Sequence, residues 1–221
     1  MLSTLLLLIA AAPSGWAEIL ETRVNGEGLV DYRAIAAHDL AKLDAYLETV
    51  AKREIPSEPA EALGILADAY NALVVRAVIR ERLPRSVLDV KGFFSDRKHR
   101  AFGRELTLDQ LEKELIAPRG SPLHHFLLVC GAVGCPVLER RPFAGDDAKA
   151  RAEAAARRYL RTPRGAVLAG TTLKLSKIFD WYAKDFGGPA GVRAFVAARL
   201  PAALPEQLDF LDYNWTLNNT N

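Results

Sequence analysis

The chain is poor in the residues that most often build a chemical site. Among its 221 residues are two cysteines, four histidines and one methionine. It also lacks an excess of charge, because 29 Lys and Arg residues balance 27 Asp and Glu residues to a net charge of +2. Without a strong electrostatic field we expect no nucleic-acid partner. Half of the residues are hydrophobic, which suffices for the core of one compact domain.

Long hydrophobic runs are missing as well. The apolar run over residues 5–12 is shorter than the roughly 20 residues that span a bilayer, so we expect no membrane span in the mature chain. The uncharged first 17 residues predict a signal peptide with cleavage after Ala17, which would place the protein in the periplasm or outside the cell. The Lys or Arg that usually precedes such a run is absent. An uncleaved anchor or a different start codon are therefore the alternatives.

Apolar residues at helical spacing predict several helices. A first buried stripe follows Asp39, which is predicted to cap its helix, and consists of Leu40, Leu43, Leu47 and Val50. The segment over residues 58–82 is apolar on nearly every side, so we expect a buried central helix there. Thr107 and Gln110 have the spacing of a capping box that starts another helix. Further helices are predicted over residues 146–160, after Ser176, and over 189–200.

Three other segments have the features of strands. Residues 124–130 are short, apolar and bounded by turn residues, which predicts a buried strand. Residues 166–175 are interrupted by Ala169-Gly170 and predict two short strands, and apolar residues alternate with polar ones over 210–217. Helices and strands therefore mix over residues 18–221. The prediction is an α+β fold, a single compact mixed domain with a buried central helix and a small sheet.

Six segments of the chain together resemble a known family. They are residues 30–32 (VDY), 69–72 (AYNA), 106–112 (LTLDQLE), 125–130 with 134–136 (HFLLVC and GCP), 175–186 (LSKIFDWYAKDF) and 212–218 (DYNWTLN). In order and spacing they resemble the bacterial exported branch of the domain-of-unknown-function family 547 over nearly the whole mature chain. The resemblance implies one domain but brings no established activity.

The chain departs from the pattern of that family at three positions. Asp68 stands where the family usually has Asn, Lys113 where it often has His, and Ala132 where Ser often follows the first cysteine. Each replacement removes or changes a polar group. A mechanism of the family that used those groups would therefore be altered in this protein.

The two cysteines, Cys130 and Cys135, flank a short loop bounded by glycine. In an exported protein this spacing predicts a disulfide that pins the loop. The alternative is that Cys130 is a thiolate nucleophile with a histidine base. A redox-active pair is a weaker alternative, because the spacing is not Cys-x-x-Cys.

His125 is the histidine closest in sequence to Cys130, but the predicted strand separates the two. Five residues of strand span about 16 Å, and the two side chains would lie on opposite faces. By the same argument His124 and His125 point to opposite faces and cannot bind one metal ion together. We therefore predict a hydrogen-bonded structural His125, no metal and no cofactor.

Three polar residues in apolar surroundings complete the set of candidates. Asp68 and Asn71 lie three residues apart on the central helix, so they either tie it to a neighbouring loop or line a polar pocket. Asp185 lies in the last turn of a predicted helix, where a carboxylate opposes the helix dipole and requires a donor or a cation as its partner.

These residues support two functional hypotheses. The first is a hydrolase or acyl transferase of the cell envelope built around Cys130, with Asp68, Asn71, His125 and Asp185 lining or supporting its site. The second is a non-catalytic binding or assembly module, pinned by a Cys130–Cys135 disulfide. In either case the expected partner is a small molecule or a peptide. A His nitrogen near the Cys130 sulfur would favour the enzyme, and a closed disulfide would favour the module.

Overall fold

A computed structural model describes residues 15–119, 121–145, 147–201 and 203–220. Its first helix, α1 (Gly15–Arg23), packs on the core through Trp16, Ile19 and Leu20, all of which are buried. The indole of Trp16 stacks on Tyr46 at 6.0 Å. Most of the predicted signal peptide, residues 1–14, lies outside the described residues, and cleavage after Ala17 stays a prediction.

The next helical stretch begins earlier than predicted. It consists of α2 (Tyr32–Ala34), a π-helical segment (Ile35–Asp39) and α3 (Leu40–Lys52). The predicted cap at Asp39 is wrong, because the helical backbone already precedes this residue and leaves no free amide for it to cap. Its carboxylate instead forms ion pairs with Arg23 at 2.7 Å and Lys42 at 3.3 Å. The pair with Arg23 links this helical stretch to the end of α1, and the pair with Lys42 lies within the stretch.

The predicted central helix is confirmed as α4 (Pro59–Arg80), which is buried on nearly all sides. By length and composition α4 could cross a membrane. The expectation that the chain lacks a sufficiently long apolar segment is therefore wrong. However, 89% of the most apolar stretch of α4 is buried inside the fold. Gly64 allows another part of the chain to approach closely. A Cβ atom at Gly64 would lie 2.4 Å from the carbonyl oxygen of Phe143.

A small hairpin and a distorted helix follow α4. The hairpin pairs β1 (His99–Ala101) with β2 (Arg104–Leu106) in antiparallel register. The predicted capping box is confirmed, since the Thr107 hydroxyl accepts from the Gln110 amide and the Gln110 side chain accepts from the Thr107 amide. It starts α5 (Leu108–Gln110), which continues as a π-helical segment, Leu111–Ile116.

The buried strand predicted over residues 124–130 is wrong. The chain forms a 3₁₀ helix, Pro122–Phe126, and continues without regular structure. Ser121 starts this helix by accepting a hydrogen bond from the Leu123 amide, and the amides of His124 and Leu127 bond to carbonyls three residues earlier. A short apolar run is compatible with a buried helical turn as well as with a strand, and here the capped turn forms.

The last part of the chain adds a helical layer and a three-stranded sheet. Its elements are α6 (Ala148–Leu160), β3 (Ala166–Ala169), β4 (Thr172–Leu175), α7 (Ile178–Trp181), α8 (Gly188–Ala197) and β5 (Gln207–Phe210). The sheet order is β3-β4-β5, with β3 antiparallel and β5 parallel to β4. The predicted pair of strands over residues 166–175 is confirmed. The elements form one α+β domain packed around α4, as predicted.

The strand predicted over residues 210–217 is misplaced. The observed strand β5 ends at Phe210, and the rest of the alternating segment makes single bridges from Thr216 to Ser86 and from Leu217 to Ala132. Alternation here reflects apolar side chains that face the core or a cleft and polar side chains that are exposed, rather than pairing with one neighbouring strand. This segment thereby brings Tyr213 and Trp215 to the cleft described next.

Candidate functional site

A cleft of about 250 Å³ lies where α4, the Leu111–Ile116 segment, the 3₁₀ helix and the C-terminal segment meet. Aromatic and aliphatic side chains, the disulfide and a few polar groups share its wall. The lining residues are Tyr70, Phe94, Asp109, Glu112, His125, Leu128, Cys130, Cys135, Pro136, Ile178, Trp181, Tyr182, Tyr213 and Trp215. Among these described residues there is no Lys or Arg.

Three aromatic rings form one wall of this cleft. Trp181, Tyr213 and Trp215 have ring centroids 4.8–5.6 Å apart. Trp181 is 48% exposed, which is unusual for so large an apolar side chain. Trp181 packs against Tyr213 and Trp215 in tilted contacts, and about half of its surface stays open to solvent. The wall can therefore accept another ring or an apolar group without rearrangement.

Cys130 and Cys135 form a disulfide in the wall of the cleft, with Cα atoms 6.4 Å apart. The Cys130 amide donates to the Cys135 sulfur at 3.1 Å, and the Tyr213 hydroxyl lies 3.2 Å from the same sulfur. Gly131 adopts a φ of +85°, which a side chain rarely allows and which turns the loop between the two cysteines. The predicted disulfide is thus present, and Cys130 carries no free thiol in this state.

The polar end of the cleft contains Glu112, His124 and His125, which are all buried. Each of them offers one atom that could bind a metal, and these atoms lie within 4.8 Å of one another. The two imidazole rings are 3.9 Å apart between centroids. The expectation that they point to opposite faces is wrong, because the backbone is a 3₁₀ helix rather than a strand.

Hydrogen bonds fix the proton positions on both histidines. His124 Nδ1 lies 2.8 Å from the carbonyl oxygen of Ser121. Since a carbonyl only accepts, Nδ1 carries the proton, and Nε2 has no hydrogen-bond partner in the described part of the chain. His125 Nε2 lies 2.8 Å from Asp185 Oδ2, so it donates to this carboxylate and leaves Nδ1 unprotonated. Asp185 thereby has the donor partner that was expected, but its predicted place in the last turn of a helix is wrong, because α7 ends at Trp181.

Burial controls the charge at this end of the cleft. Burial, together with the neighbouring His124, lowers the pKa of His125 to about 4, although Asp185 acts in the opposite direction. The contact between His125 and Asp185 is therefore a hydrogen bond from a neutral imidazole near pH 7, not an ion pair. Burial also raises the pKa of Glu112, while a hydrogen bond from Tyr182 opposes that shift.

One family model matches the middle of the chain. A family model described as "Protein of unknown function, DUF547" matches residues 57–160. This match supports the DUF547 family. No curated protein and no solved structure matches the chain. The matched DUF547 region carries Glu112, both histidines and both cysteines of the site, whereas Asp185 and the aromatic wall lie beyond it.

The departures from the DUF547 pattern do not remove a group from the cleft. Lys113 forms an ion pair with Asp109 at 3.1 Å and is exposed, and Ala132 is buried beside Leu217. Neither Lys113, Ala132 nor Asp68 lines the cleft. A mechanism that depends on the polar groups of the cleft is therefore compatible with these replacements.

Asp68 and Asn71 tie α4 to neighbouring loops, which was one of the two predicted roles. The Asp68 carboxylate accepts from the amides of Phe143 at 2.9 Å and Ala144 at 2.8 Å, and from the Trp16 indole. Asn71 donates to the Leu127 carbonyl and accepts from the Val129 amide, both at 2.8 Å. Neither side chain lines the cleft.

Of the five predicted site residues, the structure thus brings together Cys130, His125 and Asp185 and separates Asp68 and Asn71. A catalytic role stays a prediction for all of them. Sequence reasoning missed Glu112, and it wrongly excluded His124 from a place beside His125. The signal for Glu112 was its place directly after the capping box, in a segment typical of DUF547.

Proposed function

We propose that the protein is a ligand-binding module, and that its cleft takes the ring-bearing apolar part of a small molecule or peptide. The observation that carries this proposal is the open aromatic wall of Trp181, Tyr213 and Trp215. Aromatic pairs contribute about 0.5–1.5 kcal/mol beyond the area they bury, so a ring that stacks here gains more than an aliphatic group of equal size. In this function the disulfide pins the loop beneath the wall.

The charges around the cleft narrow the class of ligand. Asp109 and Glu112 are its carboxylates, and no Lys or Arg is present among its described lining residues. Asp109 is paired with Lys113, Glu112 adds a second carboxylate, and no cation among the described lining residues is left to bind a phosphate group, which disfavours nucleotides and other phosphorylated ligands. A neutral ring compound, or one with a positively charged amine, fits the cleft better.

We also propose that the protein acts outside the cytosol. A disulfide persists in oxidising compartments, and the Cys130–Cys135 bridge supports the predicted export.

The intact mass of the exported protein tests the predicted cut after Ala17. This cut would remove Trp16, whose indole is buried against Tyr46, so a cut upstream of Trp16 would retain that contact. A product that keeps Met1 would contradict cleavage.

Ring recognition can be tested with three small probes and two variants. N-acetylphenylalanine amide carries a ring without adding tryptophan fluorescence, N-acetylglycine amide lacks the ring, and AMP adds phosphate. We expect the phenylalanine amide to quench the protein fluorescence with a millimolar dissociation constant and the other two probes to have no effect. Trp181→Ala and Trp215→Ala should each weaken binding by about tenfold, as loss of a stacking partner predicts.

In protein that retains Trp16, Trp16→Phe is the matched control, because Trp16 is buried in α1 and does not line the cleft. This variant should bind the phenylalanine amide as the wild type does. Equal binding of the phenylalanine and glycine amides would contradict the proposal, as would unchanged affinity in the Trp181 and Trp215 variants.

A cysteine-centred hydrolase or acyl transferase is the second candidate function. The specific observation in its favour is that Cys130 and His125 line the same cleft and that Asp185 holds the His125 ring at 2.8 Å. Such a Cys, His and Asp set is a known arrangement for nucleophilic catalysis. The closed disulfide removes the thiolate, so this function requires prior reduction by a thiol.

An alkylation experiment separates the two candidate functions. An activated Cys130 should react with iodoacetamide below pH 7 after mild reduction, while Cys135 reacts slowly, and His125→Ala should slow the labelling of Cys130. Equal and slow labelling of both cysteines would exclude the hydrolase and leave the binding module.

A further inference from the structure

We propose that Glu112, His124 and His125 form a binding site for a divalent transition metal ion, for which Zn²⁺ is the best match. Two imidazoles and one carboxylate are a ligand set that zinc accepts when a fourth position stays open. The proposal rests on the arrangement of these side chains and not on the ring-binding function of the cleft.

The three residues are close enough to share one ion. Their candidate ligand atoms lie within 4.8 Å of one another. A tetrahedral zinc ion with bonds of about 2.0–2.2 Å holds its ligand atoms about 3.4 Å apart, so the ligand atoms need to approach one another by at most about 1.4 Å. Side-chain rotation can provide a shift of this size without moving the backbone.

The bonding of His124 is the second, independent observation. His124 is 2% exposed, and its Nδ1 proton is used by the Ser121 carbonyl. Its Nε2 atom therefore presents a lone pair that no donor satisfies within the described part of the chain. An unpaired polar atom at such depth costs about 1–3 kcal/mol, and a metal ion would offset that cost.

Asp185 supplies the outer interaction that metal-binding histidines usually have. It accepts the Nε2 proton of His125 at 2.8 Å, which fixes the ring and leaves Nδ1 to bind an ion. A carboxylate that accepts the proton of one histidine nitrogen raises the basicity of the other nitrogen, which binds the metal. Asp185 lies in the turns that follow α7 and not in the last turn of a helix, and its bond to His125 gives it a positioning role.

The ligand atoms determine which ion the site prefers, and their position at the cleft determines how the ion contacts solvent or a bound ligand. Two nitrogen ligands disfavour Ca²⁺ and Mg²⁺, which prefer oxygen, and favour zinc-like ions. Glu112 and His125 also line the cleft, so the fourth position of the ion would face the cleft. A water molecule or a donor atom of a bound ligand can occupy that position.

Calorimetric titration of chelator-treated protein with ZnCl₂ tests the site. Reductant is left out so that the disulfide stays closed and no thiol competes for zinc. We expect one equivalent to bind with a dissociation constant below about 1 μM. Glu112→Gln and His124→Asn should each weaken binding by about 100-fold, and Asp185→Asn by about 10- to 100-fold. Co²⁺ should give the strong visible absorption of a tetrahedral site.

His99→Asn is the matched control. His99 also has an Nε2 atom without a partner among the described residues, but it belongs to no candidate metal cluster there. This variant and Trp215→Ala should bind zinc like the wild type, so a failure of ring binding leaves the zinc result unaffected. Thermal melts of each variant establish that it folds.

Either of two results would overturn the proposal. The first is wild-type protein that takes up no stoichiometric zinc. The second is a folded Glu112→Gln protein that binds zinc as tightly as the wild type.

Discussion

Two buried polar clusters lie beside the central helix α4, and they differ in how completely their polar atoms are bonded. Both Asp68 oxygens accept from backbone amides, and both ends of the Asn71 amide are used. In the cluster of Glu112, His124 and His125, by contrast, His124 Nε2 has no partner among the described residues. The first cluster is complete without a ligand, whereas the second offers atoms to one.

The difference separates structural from functional polar groups without reference to sequence motifs. A carboxylate that is fully bonded to loop amides stabilises the fold, and nothing in the cleft reaches it. A buried imidazole that is hydrogen-bonded through one nitrogen only, as His124 is, still has a second nitrogen without a partner in the described part of the chain.

Replacement of Asp68 should have the largest effect on stability. Asp68→Ala leaves the buried amide of Phe143 and the adjacent amide of Ala144 without acceptors, which should lower the free energy of unfolding by about 3 kcal/mol in urea titrations. Asp44→Ala is the control, since this half-exposed carboxylate pairs with Arg76 and should cost less than about 1 kcal/mol. Equal costs would remove the distinction between the two kinds of carboxylate.

Asp68 should also make stability depend on pH. Burial raises its pKa to about 6, although the amides of Phe143 and Ala144 act against this shift, and in the unfolded chain the value is about 3.9. The folded protein holds the Asp68 proton more tightly than the unfolded chain does. The stabilisation of the fold by this proton is therefore complete below about pH 4, and it is lost as the pH rises through about 6. The loss should reach about 2–3 kcal/mol.

Urea unfolding of the wild type and Asp68→Asn between pH 4 and 7 measures this contribution. The difference between the two unfolding free energies should change over that range. Parallel profiles would mean that Asp68 titrates alike in the folded and unfolded chains.

Asn71→Ala should lower the free energy of unfolding by about 2 kcal/mol. The variant leaves the Leu127 carbonyl and the Val129 amide without their partner on α4, and these groups precede Cys130 directly. Chemical denaturation measures the effect. An unchanged midpoint would show that water replaces the side chain, and that the loop does not depend on it.

Opening the disulfide should lower the free energy of unfolding by a similar or smaller amount. A loop of about six residues gives a stabilisation near 2 kcal/mol in the chain-entropy treatment of disulfides. Cys130→Ser/Cys135→Ser should therefore melt at a lower temperature than the oxidised wild type and at the same temperature as the reduced wild type. A reduced wild type that is markedly less stable than the double variant would contradict a purely structural bridge.

Trp181→Ala should have the smallest effect on stability and a clear effect on the cleft. The ring is half exposed, so its removal should cost less than about 1 kcal/mol of unfolding free energy. Ring binding should nevertheless fall as described above. A large loss of stability would show that Trp181 belongs to the core rather than to a binding wall.

Most of the helices and the fold class could be predicted from local sequence patterns. The all-round apolar character of α4, the capping box at Thr107 and Gln110 and the interrupted strands over residues 166–175 each depend on local chemistry, and the structure confirms them. The pairing of the cysteines could be predicted as well, because a short loop leaves two nearby thiols few alternatives. Local signals of this kind are independent of the rest of the chain.

The arrangement of the site residues, in contrast, depends on tertiary packing. Residues 124–130 have the composition of a strand, yet the cap at Ser121 and the surrounding core select a 3₁₀ helix, and this choice brings His124 and His125 together. Glu112 and Asp185 reach them from distant parts of the sequence. Pairing across such distances depends on how α4 packs its neighbours, and no local pattern encodes that packing.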